Sequence, residues 1–193
     1  MRISAKRAIA LPVAVLSAVA LSGVVAGSAN ADVVSGSLTL TVNASFLAQL
    51  AEHGIGFVPS GYTSLSYSNG AADVTYALGA GDADVSNYAG TAPITGGIFG
   101  FDIKSRKTVD LNGLLFDLSN LQFDGETSTS GGEVPLLDIT GSLYGGVSGT
   151  TEEFGGSELV LDAAGAAYLN SALDTSAFVT GTDIGSFGAT WTS

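Results

Sequence analysis

The segment Ser37-Leu38-Thr39-Leu40-Thr41-Val42 alternates polar and apolar residues, the period of a strand with one buried face. Ile98 to Ile103 alternates more loosely, and the pattern resumes from Thr108 to Leu111. Between them Lys104-Ser105-Arg106-Lys107 reads as a hairpin tip. Leu114, Phe116 and Leu118 alternate, and after Ser119-Asn120 the alternation restarts with Leu121 and Phe123. That break in phase predicts a bulge or bend. Val134 to Tyr144 and Glu158 to Leu161 predict two more strands, whereas 124–133 and 145–156 read as polar loops.

Two segments leave the strand period. Asn43 to His53 places Phe46, Leu47, Leu50 and Ala51 at helical spacing, with Asn43 as N-cap and Gly54 as the stop. Ala163 to Leu173 repeats the idea, with Tyr168, Leu169 and Leu173 on one face and Asp162 as its cap. The two ends also share a weak pattern. Leu38/Leu40, Phe46-Leu47 and Gly56-Phe57-Val58 match Leu159/Leu161, Tyr168-Leu169 and Ala177-Phe178-Val179. Each copy reads as strand, short helix, strand, and bias toward small residues accounts for the match equally well. A true repeat would set the helices at opposite ends of the sheet. The fold class these elements predict is all-β, mainly an antiparallel β-sandwich with two short helices, in one domain from 32 to 193.

The first 31 residues have a different character. Arg2, Lys6 and Arg7 precede an apolar run from Ala8 to Ala26, and Ala29-Asn30-Ala31 gives an A-x-A site before Asp32. This is the pattern of a cleaved secretory signal peptide; a retained anchor is the other reading of so long a run. The expectation is a protein that is released, or held non-covalently on the envelope, with no membrane span after cleavage. All 18 acidic residues follow position 31, and only Lys104, Arg106 and Lys107 oppose them. The 162 residues from Asp32 to Ser193 therefore carry a net charge of −15. Nucleic acid and anionic membranes are poor partners for such a surface. With no cysteine, disulfides, thiol catalysis and thiolate metal sites are excluded.

Little of the remaining sequence points to catalysis. His53 is the only histidine; it reads either as an iron ligand or general base, or as a helix-end cation that suits the helix dipole. A serine triad would need that His and a G-x-S-x-G turn, which is absent. Asp82-Ala83-Asp84 places two carboxylates at alternate positions but lacks the remaining oxygens of a calcium loop. No carboxylate pair stands out as a hydrolase centre, so the chain is expected not to be an enzyme. Tyr62, Tyr67, Tyr76 and Tyr88 cluster in a Gly/Ser-rich stretch; half-buried strands are the first reading of such a cluster, and loops that contact a partner or a flat ligand the second.

The tail from Leu159 to Ile184 resembles a recurrent ending of uncharacterised secreted β-rich proteins of high-GC Gram-positive bacteria. There a strand is followed by an Ala-rich helix ending in Leu-Asn, here Ala163 to Asn170, and by a Phe-x-x-Gly segment, here Phe178 to Gly181. Pro93 to Gly97 is similar too. These proteins distantly resemble HtaA-type haem-binding domains, and that resemblance implies a β-rich fold and a tyrosine ligand for haem. In such domains the tyrosine stands three residues after the Phe of a Ser-Phe pair. Here Ser45-Phe46 is present, but Gln49 occupies that position, and an amide cannot replace a phenolate on iron.

The leading expectation is a non-catalytic, cell-envelope-associated binding or structural module, with a protein or envelope partner or a second copy of itself, and no cofactor. A haem-binding accessory protein and a carboxylate-dependent extracellular hydrolase are the alternatives. The ligand-contacting candidates are His53, Tyr62, Tyr67 and Tyr76, with no metal site.

Overall fold

A computed structural model describes residues 35–60, 64–126 and 132–192. The leader expectation and Tyr62 lie outside them. Eleven strands and two helices follow the chain: β1 (Ser35–Val42), α1 (Ala44–His53), β2 (Ile55–Ser60), β3 (Ser64–Ser68), β4 (Ala71–Leu78), β5 (Thr91–Thr95) and β6 (Gly97–Asp102). After these come β7 (Thr108–Asp117), β8 (Gln122–Glu126), β9 (Glu133–Ser148), β10 (Thr151–Leu161), α2 (Ala163–Leu173) and β11 (Asp183–Thr192).

All pairings between these strands are antiparallel. The order β7-β5-β4-β1-β11-β10-β9-β8 returns to β7 through a β7–β8 pairing, so eight strands close a barrel. The expected sandwich is corrected at this point. A sandwich is two separate sheets, whereas here β7 takes β5 on one edge and β8 on the other and closes the sheet on itself. The phase break at Ser119-Asn120 is a full reversal rather than a bulge: Asp117 pairs Gln122 across it. The Asp117 carboxylate accepts from Asn120 N (2.9 Å) and Asn120 Nδ2 (2.8 Å), which stabilises the turn. The polar loop expected at 145–156 is mostly strand as well, with only Gly149-Thr150 in the turn between β9 and β10. Its glycines are needed where the Tyr144 ring lies across the sheet. A Cβ on Gly155 would collide with that ring.

The barrel is split at one end. β5 and β6 are one arm along β7, bent at Gly96, whose φ of 111° is open to glycine and strained for other residues. Before the bend the arm pairs β4; after it the arm turns away and pairs β2. The freed part of β4 takes β3 instead.

The helices form with the predicted bounds. Asp162 Oδ1 accepts from Ala164 N (2.6 Å) and Gly165 N (3.4 Å), a side-chain N-cap. Asn43 holds the N-cap position of α1 with no side-chain cap bond, and Gly54 ends that helix in the left-handed region. The repeat fails in its third element, since 177–179 is not a strand. The helices also share one end of the barrel. Gln49 Nε2 donates to Ala177 O (3.1 Å), tying α1 to the segment after α2. The Lys104–Lys107 tip, a turn as expected, touches both helix C-termini. Lys104 Nζ donates to Glu52 O (3.2 Å) and Ser105 Oγ to Leu173 O (2.6 Å), and a cation is favourable at such an end.

Apolar side chains point into the barrel. At the end away from the helices Phe116 stacks on Phe123, with ring centres 5.3 Å apart, and meets Phe154, Phe187 and Trp191 at 5.8–6.1 Å. Outward-facing hydroxyls bond across strands, as in Thr41 Oγ1 to Asp73 Oδ1 (2.8 Å).

Candidate binding cavity under the helices

Between the aromatic layer and the helices the barrel is hollow. The cavity measures about 180 Å³, and every strand and both helices contribute to its wall. α1 supplies Phe46, Leu47 and Leu50, α2 supplies Leu169, and Phe178 follows from the connecting segment. Phe178 meets Phe57 of β2 edge-on at 6.1 Å. Asn170 holds Phe178 in place by two bonds: Nδ2 to Phe178 O (2.7 Å), and Oδ1 accepting from Phe178 N (3.0 Å). An eight-stranded barrel has room inside either for packed side chains or for one small ligand. Here one half does each. Among the described residues β3 and the β2–β6 ribbon are not paired with each other, and both line the cavity, β3 with Leu65 and Tyr67 and β2 with Phe57 and Pro59.

The wall carries two phenols. Tyr76 of β4 is 1% exposed, and its hydroxyl is buried with no hydrogen-bond partner among the described residues. Burial pushes its pKa far up, so it stays a neutral donor facing apolar space. Tyr67 of β3 is 67% exposed and sits at the rim. The structure thus brings Tyr67 and Tyr76 to one cavity. It leaves His53 exposed in the last turn of α1, away from the cavity wall. Gln49, at the position the resemblance gives to the iron ligand, is committed to Ala177 O. Tyr88 packs edge-on against Phe154 at 5.8 Å, at the opposite end.

Among the described residues no carboxylate lines the cavity. The acids that seemed available for calcium are used by their own loop. Asp82 Oδ1 accepts from Thr91 N (2.8 Å), and Asp84 accepts from Ser86 N, Asn87 N and Asn87 Nδ2. Its hydrogen bonds to the Asn87 side chain and loop amides hold the Asp84 pKa below the usual range. No group of three or more His, Asp or Glu side chains suited to a metal occurs among the described residues. Glu152, buried, accepts from Val85 N (2.9 Å) and pins the 79–90 loop to the barrel.

The cavity wall was not legible as a site in sequence. Its residues are ordinary apolar positions drawn from the whole chain. The useful signals were the helical spacing of Phe46, Leu47 and Leu50 and the tyrosine cluster.

No family model and no curated protein matches the chain. Solved structures do. The chain is similar to the C-terminal domain of HtaA from Corynebacterium glutamicum, at 14% identity and a TM-score of 0.54, over 83% of this chain and 99% of that one. It is also similar to the haem-binding protein HtaB from the same organism, at 12% identity and a TM-score of 0.52, over 83% of this chain and 93% of that one. The distant HtaA-type resemblance therefore holds at the level of the fold.

Proposed function

We propose that this chain is a non-catalytic binding module that takes an apolar ring compound at the helix-covered end of the barrel, haem being the first candidate. The observation that carries the reading is the apolar cavity with a buried, unpartnered phenol on its wall. The fold shared with a haem-binding protein supports haem over a generic envelope role. Lys104, Arg106 and Lys107 lie in the tip that touches both helix C-termini, where they suit the carboxylates such a ligand carries.

The residues fit haem differently from the resemblance. Gln49 cannot ligate iron. Tyr67, at the rim and open to solvent, is the phenol whose oxygen is accessible to a ferric ion; Tyr76, kept neutral by burial, is suited to donate a hydrogen bond. A tetrapyrrole exceeds a cavity of about 180 Å³, so its plate would extend through the split between β2 and β3. The protein would work outside the cytoplasmic membrane after cleavage behind Ala31, and a secreted chain beginning at Asp32 on intact-mass analysis would support that.

Haemin titrated into the purified protein should shift the Soret band with one-to-one stoichiometry. Tyr67→Phe should abolish the phenolate charge-transfer band, and Tyr76→Phe should weaken binding while leaving that band. An unshifted Soret band in the wild type overturns haem as the ligand.

A further inference from the structure

At the end of the barrel away from the helices, β9 outruns its neighbour. β8 pairs β9 only as far as Asp138, with one further bond from Ile139 N to Leu121 O (2.8 Å). From Gly141 to Ser148 the strand pairs with β10 alone among the described residues, and all eight residues are exposed. Leu143 is 37% exposed, Tyr144 58% and Val147 51%. The two-residue turn Gly149-Thr150 makes Ser148 and Thr151 a hydrogen-bonded pair. By alternation, the backbone of Leu143, Gly145 and Val147 then points away from β10.

Proteins protect such an edge with charge, proline or cover. The edge of β2 carries Pro59, and β3 is five residues long. The β9 edge has no comparable protection. In a chain with 18 acids, residues 139–151 contain no charge at all. The edge strand itself presents no like charge to an identical chain; the nearest exposed carboxylate, Glu153, stands one strand in, opposite Gly146.

The sequence of the edge also matches itself. Set antiparallel about Gly145, Ser142 faces Ser148, Leu143 faces Val147, and Tyr144 faces Gly146. A two-fold interface requires this self-complementarity. Each facing pair lies on one face of the sheet, since the residues keep parity. The pairing sets Tyr144 opposite a glycine, as it already lies over Gly155 within its own sheet.

We propose that two copies of this chain join edge to edge through residues 142–148 of β9, forming a continuous antiparallel sheet across a two-fold axis. The contact is one strand wide, which places it among small, reversible interfaces. It is independent of ligand binding at the other end of the barrel.

Sedimentation of the chain from Asp32 to Ser193 should show monomer and dimer exchanging at roughly 10–100 µM, the range of such interfaces. Leu143→Glu/Val147→Glu and Leu143→Lys/Val147→Lys should each be monomeric, because the facing positions then carry like charges. Mixing the two variants should restore a dimer. All four substitutions are at exposed positions, and circular dichroism checks that each variant is folded. A wild-type chain that stays monomeric, dimers that persist in both variants, or a mixture that stays monomeric would each overturn the proposal.

Discussion

The two halves of this barrel are built from the same strands and treated differently. In the half away from the helices, Phe116, Phe123, Phe154, Phe187 and Trp191 interlock, and Phe116 is fully buried. Under the helices the inward positions are mostly aliphatic, and they line a space instead of filling it. The packed half supplies stability and the hollow half accepts a guest. A void of this size forfeits dispersion contacts along its whole lining, so keeping it costs stability that the aromatic layer offsets.

Substitutions can test that division directly. Phe116→Ala should lose about 3–5 kcal/mol in chemical denaturation, because it opens a new cavity in close-packed surroundings. Ile98→Ala, on the wall of the existing cavity, should lose less than about 2 kcal/mol, since it only enlarges a space already present. Equal losses would refute the division. Adding bulk should discriminate the other way. Ala189→Leu in the buried core should cost about 1–3 kcal/mol. Ala72→Leu, which projects into the hollow half, should stay within about 1 kcal/mol of wild type while reducing haemin uptake.

The roof of the hollow half gives a smaller effect. Asp162→Ala should lose about 1 kcal/mol, because its carboxylate accepts from two amides of α2. Asn43→Ala should lose less, since its side chain makes no cap bond to α1. Thermal melts of the two variants would rank them.

A further expected effect concerns pH. Burial, and then the charges of Asp117, Glu133, Asp162 and Asp138, push the Asp124 pKa from 3.8 to about 6. The folded state therefore holds this proton more tightly than the unfolded state. The group adds stability below about pH 4, and that contribution is lost as pH rises through about 6. Asp124→Asn should be more stable than wild type at pH 7, with the gap closing toward pH 4. A gap independent of pH would show that Asp124 is not strained by its charge.

Much of this was legible in the residues, unevenly. Both helices follow from spacing and punctuation, and the Lys104–Lys107 tip from four polar residues between two apolar runs. β3 and β4 were legible in principle, because Asn69-Gly70 takes the left-handed conformation of a two-residue hairpin turn, and half-buried strands were one reading of the tyrosines around it. Gly145 to Gly156 misled for a similar reason. Glycine usually marks turns, but here Tyr144 covers it within a sheet. Of the candidate site, Tyr67 and Tyr76 reach the cavity, whereas His53 does not.

The sequence by itself determined the local choices: strand period, helix ends, the absence of thiol chemistry, and an acidic chain whose three cations beyond residue 31 share one turn. These depend on neighbours a few residues apart. The tertiary structure alone decided that the sheet closes, that both helices roof the same end, and that the interior is packed in one half and open in the other. Closure depends on β7 meeting β8 and β5 at once, and the cavity on side chains from all eleven strands. Empty space inside a barrel belongs to no segment of the chain, so no local pattern can encode it.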